Sequence, residues 1–189
     1  TDTGDILGIA SAGPSATVPP LTILRKKVQS LLGVHDWKYP HFSSKPVGGK
    51  PLHEWAREGR IHEIEVPRTR SEIIRLSIHS EEIWSASQLQ SGIFHRLDAL
   101  KRYNDELACD NLRLKPVVAG WKTLFEDSTQ TYTVLTITCI CGSGTYMRTL
   151  AEKIGELVGT SACTLSITRT QIGTFRDFFN PFVFWWPQY

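Results

Sequence analysis

Residues 131–158 leave the fewest choices for the fold. Residues 131–141 (TYTVLTITCIC) are dense in Thr, Val and Ile and read as a strand. Gly142-Ser143-Gly144 breaks that strand. Met147, Leu150, Ala151, Ile154, Leu157 and Val158 then share one helical face, which Gly159 ends. A strand that runs through a glycine turn into an amphipathic helix favours a sheet with helices packed on it. Cys139 and Cys141 lie two apart, so both face the side of Leu135 and Ile137 and read as buried reduced thiols. None of the four cysteines (Cys109, Cys139, Cys141, Cys163) has the paired spacing of metal ligands.

The remaining elements are read in the same way. Residues 11–20 form a Pro/Ser/Gly-rich loop, and an amphipathic helix follows over 21–32, with Gly33 as its stop. Residues 35–49 show no periodicity and predict a surface loop. Pro51 opens a short helix carrying Leu52, Trp55 and Ala56 on one face, ended by Gly59. Residues 63–80 are extended, although Ile73, Ile74, Leu76 and Ile78 alternate imperfectly. Leu89, Ile93, Leu97 and Leu100 mark a helix over 85–107, and a last strand covers 163–169. Helices and strands alternate irregularly, which predicts an α+β fold with a mixed, largely antiparallel sheet flanked by helices.

Several classes are weakened by composition. No apolar run approaches the ~20 residues of a membrane-spanning helix, and no secretory signal is visible. A reducing, cytoplasmic compartment is the expectation. The formal net charge of +2 is too mild to establish a nucleic-acid partner, although basic residues on one face could serve one. Met147 is the sole methionine, so an upstream segment, processing or truncation is expected.

Two places carry candidate chemistry. At 139–152 the backbone N–H groups that open the helix lie beside Tyr146 and Arg148, with Thr145 as the expected cap. That setting suits an anion or a stacked base, and equally an ordinary junction with Arg148 in a surface ion pair. At 48–60, His53 and Arg57 are four apart on one helical face, with Lys50 just upstream. They could meet phosphate or a base, or form a solvated polar face.

The wording and order of these tracts resemble one family, the TruB-type tRNA pseudouridine synthases. Gly49-Lys50-Pro51-Leu52-His53-Glu54-Trp55-Ala56-Arg57-Glu58-Gly59 is similar to G-K-x-L-Y-E-x-A-R-x-G. Gly142-Ser143-Gly144-Thr145-Tyr146-Met147-Arg148-Thr149-Leu150 is similar to S-K-G-T-Y-I-R-T-L. The opening Thr1-Asp2-Thr3-Gly4-Asp5 resembles a T-D-T-x-D tract, and residues 166–175 (SITRTQIGTF) resemble L-R-R-T-x-x-G-x-F.

The resemblance implies isomerisation of uridine 55 in the T-arm of tRNA to pseudouridine by base flipping, with no cofactor or metal. It implies a nucleophilic aspartate in a G-x-L-D-P-x-A-x-G motif. No aspartate here has that context, so the chain is expected to lack the N-terminal segment bearing it, and the sheet is expected to be incomplete. An upstream segment or a second polypeptide would supply the aspartate, and the partner is the T-arm stem-loop. Carried over, Tyr146 packs against the flipped base and Arg148 pairs with the catalytic aspartate. Ile167 lies under the base, His53 replaces a stacking tyrosine, and Lys50 and Arg57 face the RNA. Ser143 stands where the family has lysine.

On this reading residues 1–80 and 131–176 form the synthase-like domain. Residues 81–130 form a helical insertion, either solvated or gripping RNA through Arg96, Lys101 and Arg102, and 177–189 an aromatic tail expected to be buried. The alternative is a catalytically inactive RNA-binding or structural protein on the same scaffold.

Overall fold

Pro20 precedes the first helix of the computed structural model, which describes residues 1–13, 17–106, 113–126, 129–177 and 183–187. That helix, α1 (Leu21–Val28), buries Leu24 and Val28 and tightens into a 3₁₀ turn over Gln29–Leu31. Gly33 has φ +98°, a left-handed conformation that frees the chain to leave the helix.

It also begins strand β1 (Gly33–Lys38), which corrects the expectation of a loop from residue 35. His35 and Trp37 are half-buried on one face, and Val34, Asp36 and Lys38 are exposed on the other. The period of two is present, but His and Trp carry it on a strand at the edge of the sheet, so hydrophobicity alone does not reveal it.

Strands β2 (Pro46–Val47) and β3 (Lys50–Pro51) form a small hairpin. Both residues of its Gly48-Gly49 turn have positive φ, the geometry of a two-residue connection. Helix α2 (Leu52–Arg57) follows, with Pro51 as the residue before its first turn and Leu52 fully buried.

The long strand β4 (Arg68–Ser85) pairs antiparallel with β1 through its first third. Helices α3 (Ala86–Glu106) and α4 (Leu114–Leu124) separate it from its other antiparallel neighbour, β5 (Thr131–Cys141). The sheet order is therefore β1-β4-β5. The register shifts between Ile73 and Arg75, so burial passes from Ser71 and Ile73 to Leu76 and Ile78. This bulge explains the imperfect alternation, because one extra residue changes which face the following side chains occupy.

Helix α5 (Met147–Leu157) and hairpin β6 (Gly173–Asp177)–β7 (Val183–Pro187) complete the described elements. The expected strand at 163–169 does not form. One parallel bridge joins Thr164 to Asp5, and the backbone N–H of Thr164 donates to the Gly4 carbonyl at 2.9 Å. A single bridge fastens a segment without extending a sheet. Phe178, Phe179 and Phe182 of the aromatic tail, and Cys109, lie outside the described residues.

Two apolar cores result. One joins α1 and α5 to the sheet through Leu24, Val28, Ile73, Leu76, Leu150 and Ile154, with Leu135, Ile137, Cys139 and Cys141 against it. The shared face expected for the two thiols and their neighbours is thus observed. The other core unites Ile6 and Ala10 with Leu89, Ile93 and Leu97 of α3 and Val117 and Trp121 of α4. The helices of 81–130 are therefore packed onto the N-terminal tract. Arg96 is engaged in that packing, donating to the Leu165 carbonyl at 3.0 Å. No helix among the described residues is long and apolar enough to cross a membrane.

Candidate nucleotide-binding site

Arg148 lies in the first turn of α5, after a turn in which Gly144 takes φ +84°. Tyr146 precedes that helix as its N-cap residue, and no side-chain hydrogen bond closes the cap, so Thr145 does not play the expected role. The Arg148 guanidinium is drawn inward instead. Its Nη1 donates to the Thr3 carbonyl at 2.8 Å and its Nη2 to the Phe42 carbonyl at 2.9 Å. The Asp5 carboxylate stands 3.5 Å from Nη1.

One side chain thus fastens the opening tract and the loop after β1 to the start of α5. Close approach demands Gly4, where a Cβ would meet the Arg148 Cβ at 3.0 Å and Glu152 Oε1 at 2.8 Å. Both aspartates of the opening tract shape its turn. Asp5 Oδ1 accepts from the Leu7 N–H at 3.0 Å and Asp2 Oδ1 from the Ile9 N–H at 2.7 Å.

Beside Arg148 is an open cavity of about 300 Å³, whose walls include Asp5, Ser43, His53, Arg57 and Arg113. Three guanidinium groups therefore line it against the single carboxylate of Asp5. His53 Nδ1 lies 3.1 Å from the Ser43 carbonyl. A carbonyl only accepts, so Nδ1 carries the proton and a neutral ring keeps Nε2 as an acceptor. The Ser43 hydroxyl is buried in the wall and has no hydrogen-bond partner among the described residues.

Of the residues singled out from sequence, His53, Arg57 and Arg148 meet at this cavity. Lys50, Tyr146 and Ile167 do not line it. The Lys50 ammonium sits 3.9 Å from the centre of the Trp55 ring and pairs with Glu58. Tyr146 meets Tyr39 edge to face, with centroids 5.6 Å apart, and Lys45 lies over Tyr39. Ile167 is 54% exposed on the irregular segment after α5. Sequence reasoning passed over Asp5, Ser43 and Arg113. Asp5 carried a signal in its T-D-T-x-D tract, whereas nothing local marked the other two.

At the end of β5, beside the glycine turn, a hydrogen bond from the Cys139 thiol and the nearby charge of Arg169 bring the Cys141 thiol down to about 6. The same pairing and burial push Cys139 up. At pH 7 Cys141 is the better nucleophile. Limited iodoacetamide treatment followed by peptide mass mapping is expected to label Cys141 before Cys139. Equal labelling would refute the pairing.

No family model matches the chain. It is 28% identical over 93% of its length to tRNA pseudouridine synthase B of Psychrobacter arcticus, covering 33% of that protein. The corresponding synthase of Listeria welshimeri is 29% identical over 92% of the chain, with 41% of that protein covered. For Bacillus licheniformis the figures are 28%, 93% and 42%. Along nearly all of its length the chain is similar to part of the TruB-type synthases.

It spans roughly a third to two fifths of the length of these curated relatives. Three of the four TruB-like tracts converge on the cavity, through Asp5, through His53 and Arg57, and through Arg148. The fourth, residues 166–175, begins just after Thr164 meets the opening tract and leaves Ile167 at the surface. Among the described residues, no group of three or more His, Cys, Asp or Glu side chains could hold a metal ion.

Proposed function

We propose that this cavity receives the flipped uridine of a tRNA T-arm, and that the chain contributes the substrate cradle of a tRNA pseudouridine synthase. The observation that carries the reading is the meeting of His53, Arg57 and Arg148 with Asp5 in one cavity. Flipping takes a base out of its stack and leaves the adjoining phosphates to be held, a task for guanidinium groups. His53 offers a planar ring and an acceptor nitrogen to the base. Arg148, fixed by two carbonyls, offers positive charge to an incoming carboxylate, because its contact with Asp5 is longer than either carbonyl bond. Tyr146 and Ile167 would meet the flipped base, and Lys50 the RNA, from positions that do not line the cavity.

Residues 1–80 and 131–176 would make up the synthase-like part, with 81–130 as an insertion that is helical from Ala86 on, after β4 ends at Ser85, and 177–189 as the aromatic tail. The nucleophile of the reaction must come from outside these 189 residues, since no aspartate here has an L-D-P context. A tRNA substrate would accord with work in the cytoplasm. A second reading, an RNA-binding protein without activity, is favoured by the Asp5 carboxylate already facing Arg148.

The 189-residue chain is expected to bind a T-arm stem-loop with affinity that falls as salt rises, and to form no pseudouridine. Joining a segment with an L-D-P aspartate ahead of Thr1 separates the readings. Pseudouridine in the product, read by mass spectrometry after chemical labelling, supports the synthase, and binding without turnover supports the inactive protein. Turnover by the 189 residues alone would reveal a nucleophile among the aspartates present.

A further inference from the structure

The geometry points to Arg113 and Ser43 as an anion subsite on the wall of this cavity, taking an RNA phosphate next to the flipped nucleotide. This rests on the proposed synthase reading and adds to it a grip from outside the four TruB-like tracts. Arg113 directly precedes α4, in the helical part of the chain. Among the described residues it is the one non-glycine with positive φ, at +22°. Such a backbone costs an ordinary side chain about 1 kcal/mol, so the surroundings must hold it there.

Those surroundings are specific. The Arg113 guanidinium lies 4.2 Å from the centre of the Phe42 ring, and its Nη1 donates to Asp2 Oδ2 at 2.9 Å. The Asp2 carboxylate is itself fixed by the Ile9 N–H. Phe42 therefore stands between two arginines, with its ring against Arg113 and its carbonyl accepting from Arg148. The next residue, Ser43, contributes the buried hydroxyl that has no hydrogen-bond partner among the described residues. A buried hydroxyl left unpaired is unfavourable, and a phosphate oxygen would accept a hydrogen bond from it. A monoanionic phosphodiester matches these groups, because the guanidinium offers further N–H donors in one plane on the wall that Ser43 also lines.

The test is fluorescence anisotropy of the full chain with a T-arm stem-loop and with an unrelated hairpin of equal length, across a salt series. R113Q is expected to bind the T-arm about tenfold more weakly. It should also flatten the slope of log affinity against log salt by roughly 0.7 to 0.9, one phosphate contact. R113K should restore most of the slope, which a merely structural role would not do. D2N should strengthen binding, because it removes the charge that offsets Arg113 while leaving an amide oxygen for Ile9. It keeps the question open to disproof if R113Q does not fold.

Unchanged affinity and slope in R113Q, or unchanged affinity in D2N, would overturn the subsite while leaving the synthase reading intact. Equal affinity of the wild-type chain for both RNAs, with R113Q still flattening the slope, would overturn the T-arm reading and keep the subsite. Failure of the folded wild-type chain to bind either RNA would overturn both.

Discussion

Arg148→Ala is expected to destabilise the fold by about 3 kcal/mol, read as a lower midpoint in urea unfolding at unchanged slope. The side chain is 18% exposed, and it satisfies two main-chain carbonyls while facing the Asp5 carboxylate. Each charge-assisted bond contributes about 1.5–3 kcal/mol, but the contributions are not additive where water can enter the open cavity. Arg148→Lys should lie between, because one ammonium cannot reproduce a fork that reaches Thr3 and Phe42 together. A loss below about 1 kcal/mol for the alanine variant would mean that water replaces the guanidinium freely. The fastening role would then be wrong, and Arg148 would be held for a ligand.

Trp121→Ala should be the most damaging single change in the helical part, at about 4 kcal/mol. Trp121 is 3% exposed and stacks on Phe125 with centroids 5.7 Å apart. Its indole Nε1 donates to the Ile6 carbonyl at 3.0 Å. Truncation removes a large apolar surface and orphans a buried carbonyl on the tract that carries Asp5. Trp121→Phe keeps the ring and loses the donor, so about 1–2 kcal/mol is expected. The same variants should weaken T-arm binding, since the opening tract forms one wall of the cavity. Unfolding that matches wild type in Trp121→Ala would show that α4 does not support this tract.

The elements legible from sequence are those whose signal repeats within a few residues. The strand at 131–141 and the helices beginning at Ala86 and Met147 have the expected type and nearly the expected bounds, since burial on one face writes a period of two or 3.6 into the chain. Where that local signal was weak or ambiguous, the reading failed. In β1 the period is carried by His35 and Trp37, and at 163–169 a suitable composition has one bridge to Asp5 in place of a strand neighbour.

The site divides along the same line. His53 and Arg57 share a face because they are four apart on α2, and Arg148 falls in the first turn of α5 because the glycine turn ends where it does. Those placements follow from local backbone geometry, and the four family-like tracts were readable as text. The pairing of Arg148 with residues 145 and 106 positions away was not, nor was the arrival of Arg113 opposite Asp2 across 111. Such contacts have no periodicity of their own. They form because one core binds α5 to the sheet while the other binds the opening tract to α3 and α4, and the cavity lies where side chains anchored by both cores meet.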